Sequence, residues 1–564
     1  MYFCTLNGTQ KYETTLDYLK HFVCFFERFL DLFLVKIIRT RHLANSRITR
    51  SDNKHPNHPK HHIVKHYLMN FHVRYPAYLS CQTKHFFRTN PITTRQPDFT
   101  PPLPLFVICW FLIPAFQPVF AQESTAQSYF LIEFTDKPRD RSYQVSSPRT
   151  ILSKRTVQRR NKYNIPIDSL DLPISPEYQE AIRPLASDIL YALRWHNALV
   201  IVANDNSTSP IEQLSFVKNL TRIGAYRPSR PLRLNRTNRK RVESDKIARL
   251  DAHHGYAAEQ IQSLNGHLLH RKGFRGKTKI IAVLDGGFQN LDQVVFFDSL
   301  RQNEQILRTM DIVQGDSMVN QATGHGTQVL SVLAADIPGV MVGSAPDSEY
   351  LLYRTENVRT EARIEQFHWM YAVEHADSLG ADVISSSLGY EVDAKDSTAV
   401  WAQQLMIRTS WVGFHKGLLF VASAGNNGYD DSPSITVPAV AKNVLAVGSI
   451  DERGIGSDFS ARGPSPGGVT KPDVVARGEP VVVASLYEMR VNATNGTSFS
   501  TPLVAGMVAC LWEAFPDATN YQIKKAILDS SNRRGKPDHK LGFGEPDFWL
   551  AYELLKQRSR KKHP

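Results

Sequence analysis

The stretch IIAVLDGGF, residues 280–288, carries five consecutive apolar residues, then an aspartate, then two glycines. An apolar run this short, without polar alternation and stopped by turn-forming residues, reads as a strand buried on both faces. Similar runs recur at YLLYRTE (350–356), ADVISSSLG (381–389), LLFVASAGN (418–426), VLAVGSID (444–451) and PVVVASL (480–486). Between them lie longer helical patterns. TEARIEQFHWMYAVEHADSLG (360–380) places Ile364, Phe367 and Tyr371 on one helical face, and STAVWAQQLMIRTSWVGFHKG (397–417) is similarly amphipathic. Strands and helices in alternation predict an α/β fold, doubly wound in three α/β/α layers about a mostly parallel sheet.

In such folds a site lies at the carboxyl ends of the strands. Asp285 closes the first strand, and Asn426 closes LLFVASAGN, so both are expected at one edge of the sheet. GHGTQVLSVLAA (324–335) opens a helix with His325 between two glycines. NGTSFSTPLVAGMVACLW (495–512) sets Ser498 at the mouth of a run of small and apolar residues, with Pro502 suited to the first turn of a helix. Alone, each has an ordinary structural use: Asp285 as a turn former, His325 as a cap, Ser498 as an N-cap. Together, Asp285, His325 and Ser498 supply what acyl transfer at neutral pH requires. A hydroxyl needs a neighbouring base, and the base needs a carboxylate to fix its tautomer.

VLDGGF, GHGT and NGTSFSTPLVAG, in that order, resemble the three signature blocks of the subtilisin-like serine peptidases. SSSLGY (385–390), SAGNNG (423–428), VPAVAKNVLAVGSID (437–451), FSARGP (459–464) and KPDVVARG (471–478) extend the resemblance over roughly residues 250–550. It implies Ser498 as nucleophile, His325 as general base and then acid, and Asp285 as the orienting carboxylate. It implies Asn426 as a side-chain donor to the oxyanion. By the same resemblance Ser387, Leu388 and Gly389 pair with extended substrate backbone and wall the primary specificity pocket. Gly286 departs from many relatives, which carry Ser or Thr after the aspartate. The chemistry requires no cofactor. Structural calcium is common in the family, yet no acidic loop with suitable ligand spacing locates a metal site here.

Ahead of this block, residues 122–226 read as a small α+β unit: strand SYFLIEFT, helix ILSKRTVQRRNKY, strand DILYALRWHNALVIVAN, helix IEQLSFVKNL and a short strand near Ile223. It resembles the family's inhibitory propeptides, which makes the chain's own N-terminal unit an expected partner. A basic linker, 227–250, follows and contains RPSRPLRLNRTNRKR (227–241). Activation is expected by cleavage between Arg227 and Asp251, with Arg239, Lys240 and Arg241 as an exposed target. The peptidase domain is expected over 251–556, and 557–564 as a basic tail.

LPLFVICWFLIPAFQPVF, followed by Ala121, reads as the apolar core and cleavage site of a signal peptide over 103–121. Its apolar stretch is shorter than a membrane span requires, so no stable transmembrane anchor is expected, and the destination is secretion, the periplasm or the cell envelope. Residues 1–102 are expected to be a mis-assigned or disordered leader. The first hundred residues carry 15 Lys and Arg against 6 Asp and Glu, most of the chain's net charge of +13. The remaining chain is near balance, which excludes a global footprint for nucleic acid. After cleavage of the signal peptide only Cys510 is left, in an apolar run that reads as core.

Polypeptides are thus the expected substrates of an exported serine endopeptidase. Two alternatives stand beside it: an inactive polypeptide binder that uses the same cleft, and a peptide ligase that uses the same acyl-enzyme.

Overall fold

Why the strand runs adopt one sheet is visible in their burial: every residue of β5 (Ile280–Asp285) is buried, as the absence of alternation predicts. This computed structural model describes residues 126–137, 151–227, 252–391, 395–430 and 432–562. The expected leader, the signal peptide and nearly all of the basic linker lie outside the described residues. Those described belong to one compact unit spanning Ala115–Pro564.

The N-terminal region forms a four-stranded antiparallel sheet from β1 (Gln127–Phe134), β2 (Asp188–Leu193), β3 (Ala198–Asn204) and β4 (Val217–Ala225), in the order β2-β3-β1-β4. The helices α1 (Lys154–Lys162) and α2 (Pro176–Ile182) accompany it. Two sequence expectations are corrected here. DILYALRWHNALVIVAN is a hairpin and not one strand, because Arg194–His196 form a 3₁₀ turn closed by Asn197 at φ 52°. Asparagine tolerates that left-handed conformation, and its side chain donates to the carbonyls of Phe134 and Asp136. IEQLSFVKNL is helical only at Ser209–Glu212, and the nine residues from Val217 pair with β1 as a strand.

The larger sheet has seven strands: β5, β6 (Ile306–Asp311), β7 (Glu349–Arg354), β8 (Val383–Ser386), β9 (Leu419–Ser423), β10 (Leu445–Asp451) and β11 (Val474–Glu479). Their order is β11-β10-β9-β8-β5-β7-β6, and every pairing is parallel. Chain order reverses direction between β5 and β8, which makes the sheet doubly wound and opens a crevice there. On the faces lie α3 (His325–Ala334), α4 (Ile364–Leu379), α5 (Ser397–His415), α6 (Thr497–Ala514), α7 (Asn520–Ser530) and α8 (Phe548–Lys562). β6 is unmarked by an apolar run, since only one of its residues is buried. PVVVASL is not a sheet strand: β12 (Val481–Ala484) pairs with β13 (Val491–Thr494) as a separate hairpin. Of the expected basic tail, residues 557–562 continue α8, and Arg558 pairs with Asp529 at 2.6 Å.

α6 runs through the core, with Leu503, Val504, Met507, Val508 and Leu511 wholly buried. Each such side chain contributes about 1.5–3 kcal/mol of burial. Gly506 is dictated by packing, as a Cβ there would lie 2.0 Å from Ser344 Oγ. Cys510 is buried and donates to the Ser344 carbonyl, and burial pushes its thiol well above the ordinary range.

The N-terminal sheet docks on α4 and α5. Tyr191 stacks on Tyr371 with centroids 4.6 Å apart. Asp377, wholly buried in the last turn of α4, receives both Arg159 and Arg160 of α1, the latter at 2.6 Å. Nearby, Lys416 binds Asp171 at 2.6 Å, and Glu374 accepts from the backbone N–H of Arg194 and of Trp195.

Candidate active site

β5 ends in Asp285, whose backbone carbonyl accepts from Thr355 and whose carboxylate is fully buried. His325, the first residue of α3, holds Nδ1 at 2.9 and 3.0 Å from the two carboxylate oxygens. Gly326 makes this approach possible, because a Cβ there would stand 2.6 Å from the Gly287 carbonyl oxygen and 2.9 Å from Asp285 Cβ. Burial alone would lower the His325 pKa, but the charge and hydrogen bond of Asp285 outweigh it and the net shift is upward. Phe499 packs on the imidazole, with ring centroids 5.4 Å apart. At Gly286, a Cβ would meet Val358 Cγ1 at 2.9 Å and Thr323 Cγ2 at 3.0 Å, so two neighbours fill the place of a larger side chain. Its backbone N–H donates to Asp285 instead, at 2.7 Å.

Ser498 is the second residue of α6, and the cap is Gly496 at φ 144° with no side-chain capping bond. The N-cap expectation for Ser498 is therefore corrected, and Pro502 lies in the second turn, not the first. Proline has no N–H, so the Ser498 carbonyl four residues earlier loses its helical donor. Ser387 Oγ replaces it at 2.7 Å, while Ser498 Oγ donates to the Ser387 carbonyl at 3.3 Å. This reciprocal pair fastens the helix start to the residue that follows β8. Ser–His contacts are commonly loose before substrate binds, so the present rotamer of Ser498 does not bar activation.

Asn426 lies beyond the end of β9, and its Oδ1 accepts from both Thr497 N (3.0 Å) and Thr497 Oγ1 (2.9 Å). With the oxygen tied back, the amide N–H groups are left to face the cleft. That cleft has a volume of about 600 Å³ and brings together Asp285, His325, Ser387, Leu388, Gly389, Asn426 and Ser498. All the residues singled out in the sequence thus meet on one edge. The sequence reading missed Thr497, Phe499 and a set of glutamates, Glu356, Glu361, Glu365 and Glu391, that line the same cleft. Burial and the charge of Glu365 push the Glu356 carboxyl well above the usual carboxylate range, and burial likewise raises Glu365. Among the described residues no group of three or more His, Cys, Asp or Glu is disposed to hold a metal ion.

Fold and edge together define the class, a serine peptidase of the α/β kind. A model of the subtilase family matches residues 276–544, and a model of the Peptidase S8 propeptide domain of Bacteroidota matches 129–241. Subtilisin BL of Lederbergia lenta is 30% identical over 268 residues, which cover 47% of this chain and 88% of that one. Subtilisin-like protease SBT6.1 of Arabidopsis thaliana is 28% identical over 315 residues, which are 53% of this chain but only 28% of the relative's length. The epidermin leader peptide processing serine protease of Staphylococcus aureus shares the fold at a TM-score of 0.53 and 15% identity, covering 77% of this chain and 99% of its own. The chain belongs to the subtilase family of serine-type endopeptidases, with the family's propeptide domain ahead of the peptidase domain.

Proposed function

We propose that this chain is an exported endopeptidase that cleaves polypeptides through an acyl-enzyme formed on Ser498, and that its N-terminal domain inhibits the enzyme until removed. The observation that carries the reading is the double contact of His325 Nδ1 with the buried Asp285 carboxylate, in one cleft with Ser498. With Nδ1–H held by Asp285, Nε2 is the free base. Ser498 Oγ attacks the scissile carbonyl carbon and its proton passes to Nε2. The resulting oxyanion is met by the Asn426 amide and the Ser498 backbone N–H at the positive end of α6. As the C–N bond breaks, the leaving amine takes the proton from Nε2. Water then repeats the sequence on the ester and frees Ser498. Ser387, Leu388 and Gly389 pair with the substrate backbone. No step calls on a cofactor, and calcium is assigned no position.

Domain limits follow the expectations given above, with processing in the segment between Arg227 and Asp251 and export directed by residues 103–121. No helix among the described residues is long and apolar enough to cross a membrane. The test is labelling of the purified protein with a fluorophosphonate, alongside casein hydrolysis, in the wild type and in Ser498→Ala. Both signals are expected to vanish in the variant, and labelling that persists would defeat the assignment of the nucleophile. Product analysis with added amines separates hydrolysis from ligation.

A further inference from the structure

The cleft's charge is one-sided. Among the described residues four glutamates line it in addition to Asp285, no Lys or Arg does, and the one basic group, His325, is committed to Asp285. Glu356 receives the Tyr390 hydroxyl, while Glu365, almost wholly buried, accepts from Ala362 N at 3.0 Å and Thr360 Oγ1 at 3.2 Å. These donors are neutral, the two carboxyls also meet each other, and no cationic side chain among the described residues pairs with either. Arg354 and Arg363, each two positions from one of the pair, are engaged elsewhere, by Asp311 and by Asp396 with the Ile223 carbonyl. A second observation points the same way. Gln366, also buried and lining this cleft, has an Oε1 with no hydrogen-bond partner among the described residues. Buried carboxyls and an orphaned acceptor are costly unless a donor arrives, and a cationic side chain supplies both charge and N–H groups.

We infer that the cleft selects polypeptides with Lys or Arg upstream of the cleaved bond, the cation seated against Glu356 and Glu365 beside the Gln366 oxygen. This rests on the endopeptidase reading and names its substrate class. The side follows from the role proposed above for Ser387–Gly389 as a wall of the primary specificity pocket, which receives the residue before the scissile bond; Tyr390 comes next in the chain, and its hydroxyl is on Glu356. The chain itself carries a sequence of matching charge. Arg227, the first residue of the linker that follows its N-terminal domain, borders the same recess as Glu365 and Asn357. Residues 227–241 then carry seven Lys and Arg and no acidic residue.

The test uses fluorogenic peptides in pairs that differ only by arginine or its neutral isostere citrulline, placed one position at a time in the four residues before the cleaved bond. A charge-assisted contact of ordinary strength predicts that arginine raises kcat/KM about tenfold or more at one of these positions. The ratio should shrink in high salt and collapse toward one in Glu356→Gln and Glu365→Gln. If Glu365→Gln does not fold, Glu356→Gln and Glu361→Gln provide the comparison. Fluorescence anisotropy of the same pairs on the processed Ser498→Ala chain reads the preference without catalysis. Wild-type protein that is not labelled at Ser498 would sink the peptidase reading, whereas paired peptides that bind and react equally would overturn this one. A preference that survives both substitutions would also overturn the assignment to these glutamates.

Discussion

Removing the Asp377 carboxylate strands two guanidinium groups at once. Arg159 and Arg160 are almost wholly buried, and several of their nitrogens, Arg159 Nε and Arg160 Nε and Nη1, have no partner among the described residues. Besides Asp377, the recorded contacts are Arg159 to the Ala381 carbonyl and a longer Arg160–Asp171 pair at 3.4 Å. Breaking a buried pair by deleting one partner costs about 3–5 kcal/mol, because the remaining charge stays buried and uncompensated. That cost falls on the docking of α1 against α4, so Asp377→Asn should open α1 locally while the seven-stranded sheet stays intact. Amide hydrogen exchange in the full chain, in a Ser498→Ala background that prevents self-cleavage, reads this directly. At about 1.4 kcal/mol per decade, exchange of the protected α1 amides should accelerate by about 10² or more. Asp517→Asn is the control. It breaks the surface pair with Lys162, in which Asp517 is 92% exposed, and such pairs contribute only about 0–1 kcal/mol. An acceleration of less than about tenfold in Asp377→Asn, or an equal effect from Asp517→Asn, would refute the claim that this buried network holds the N-terminal domain in place.

Other outcomes follow from the site. Asn426→Ala should lower kcat by about 10²- to 10³-fold with little change in KM, since the amide serves the oxyanion and not the ground state; an equal loss in KM alone would contradict that role. His325 must be neutral to act as base, and its upward shift moves the acid limb of kcat/KM above the position of an ordinary histidine, with activity lost as pH falls through it. Asp285→Asn should move that limb to lower pH and reduce kcat by about 10⁴; an unmoved limb would mean another group titrates. The same shift stabilises the fold fully below the unfolded value of histidine and fades as pH rises through the folded value, so the stability effect of Asp285→Asn should diminish in alkali. Gly326→Ala forces a Cβ against Gly287 and Asp285 and should abolish fluorophosphonate labelling, while circular dichroism stays close to the wild type.

The buried strands were legible because both faces of the sheet are covered, which confines charged residues to the ends of β5 and β7 and leaves their interiors, and that of β9, an apolar run. β6 was not, since an edge strand with one exposed face has no such signature, and its Leu307 is 45% exposed. In the N-terminal domain a single left-handed asparagine, Asn197, divides one apolar run into a hairpin, and periodicity alone carries no mark of that turn. Asp285, His325 and Ser498 were legible because each stands within two residues of a glycine in a short block. Thr497 and Phe499 act on Asn426 and His325 across gaps of 71 and 174 positions, and proximity of that kind belongs to the fold. The glutamates escaped notice because 356, 361, 365 and 391 have no common spacing: the strand-to-helix turn after β7 and the start of α4 supply the first three, and the segment after β8 brings Glu391 to them.

That turn also joins the two halves of the molecule. α4 is 16 residues long, about 24 Å at the rise of an α-helix. Its first turn contributes Glu365 and Gln366 to the cleft, and its last turn contributes Asp377 to the N-terminal domain. The side that carries Tyr371 and Glu374 between them is covered by Tyr191 and by the backbone of Arg194 and Trp195. A rigid helix with one end in each region transmits position and not charge, so loss of the N-terminal domain exposes this side of α4 without removing any group from the catalytic edge. Ser498, His325 and Asp285 take their geometry from α6, α3 and β5, none of which needs the N-terminal domain for its hydrogen bonds. This edge is therefore built independently of the N-terminal domain, no described residue of which lines the cleft.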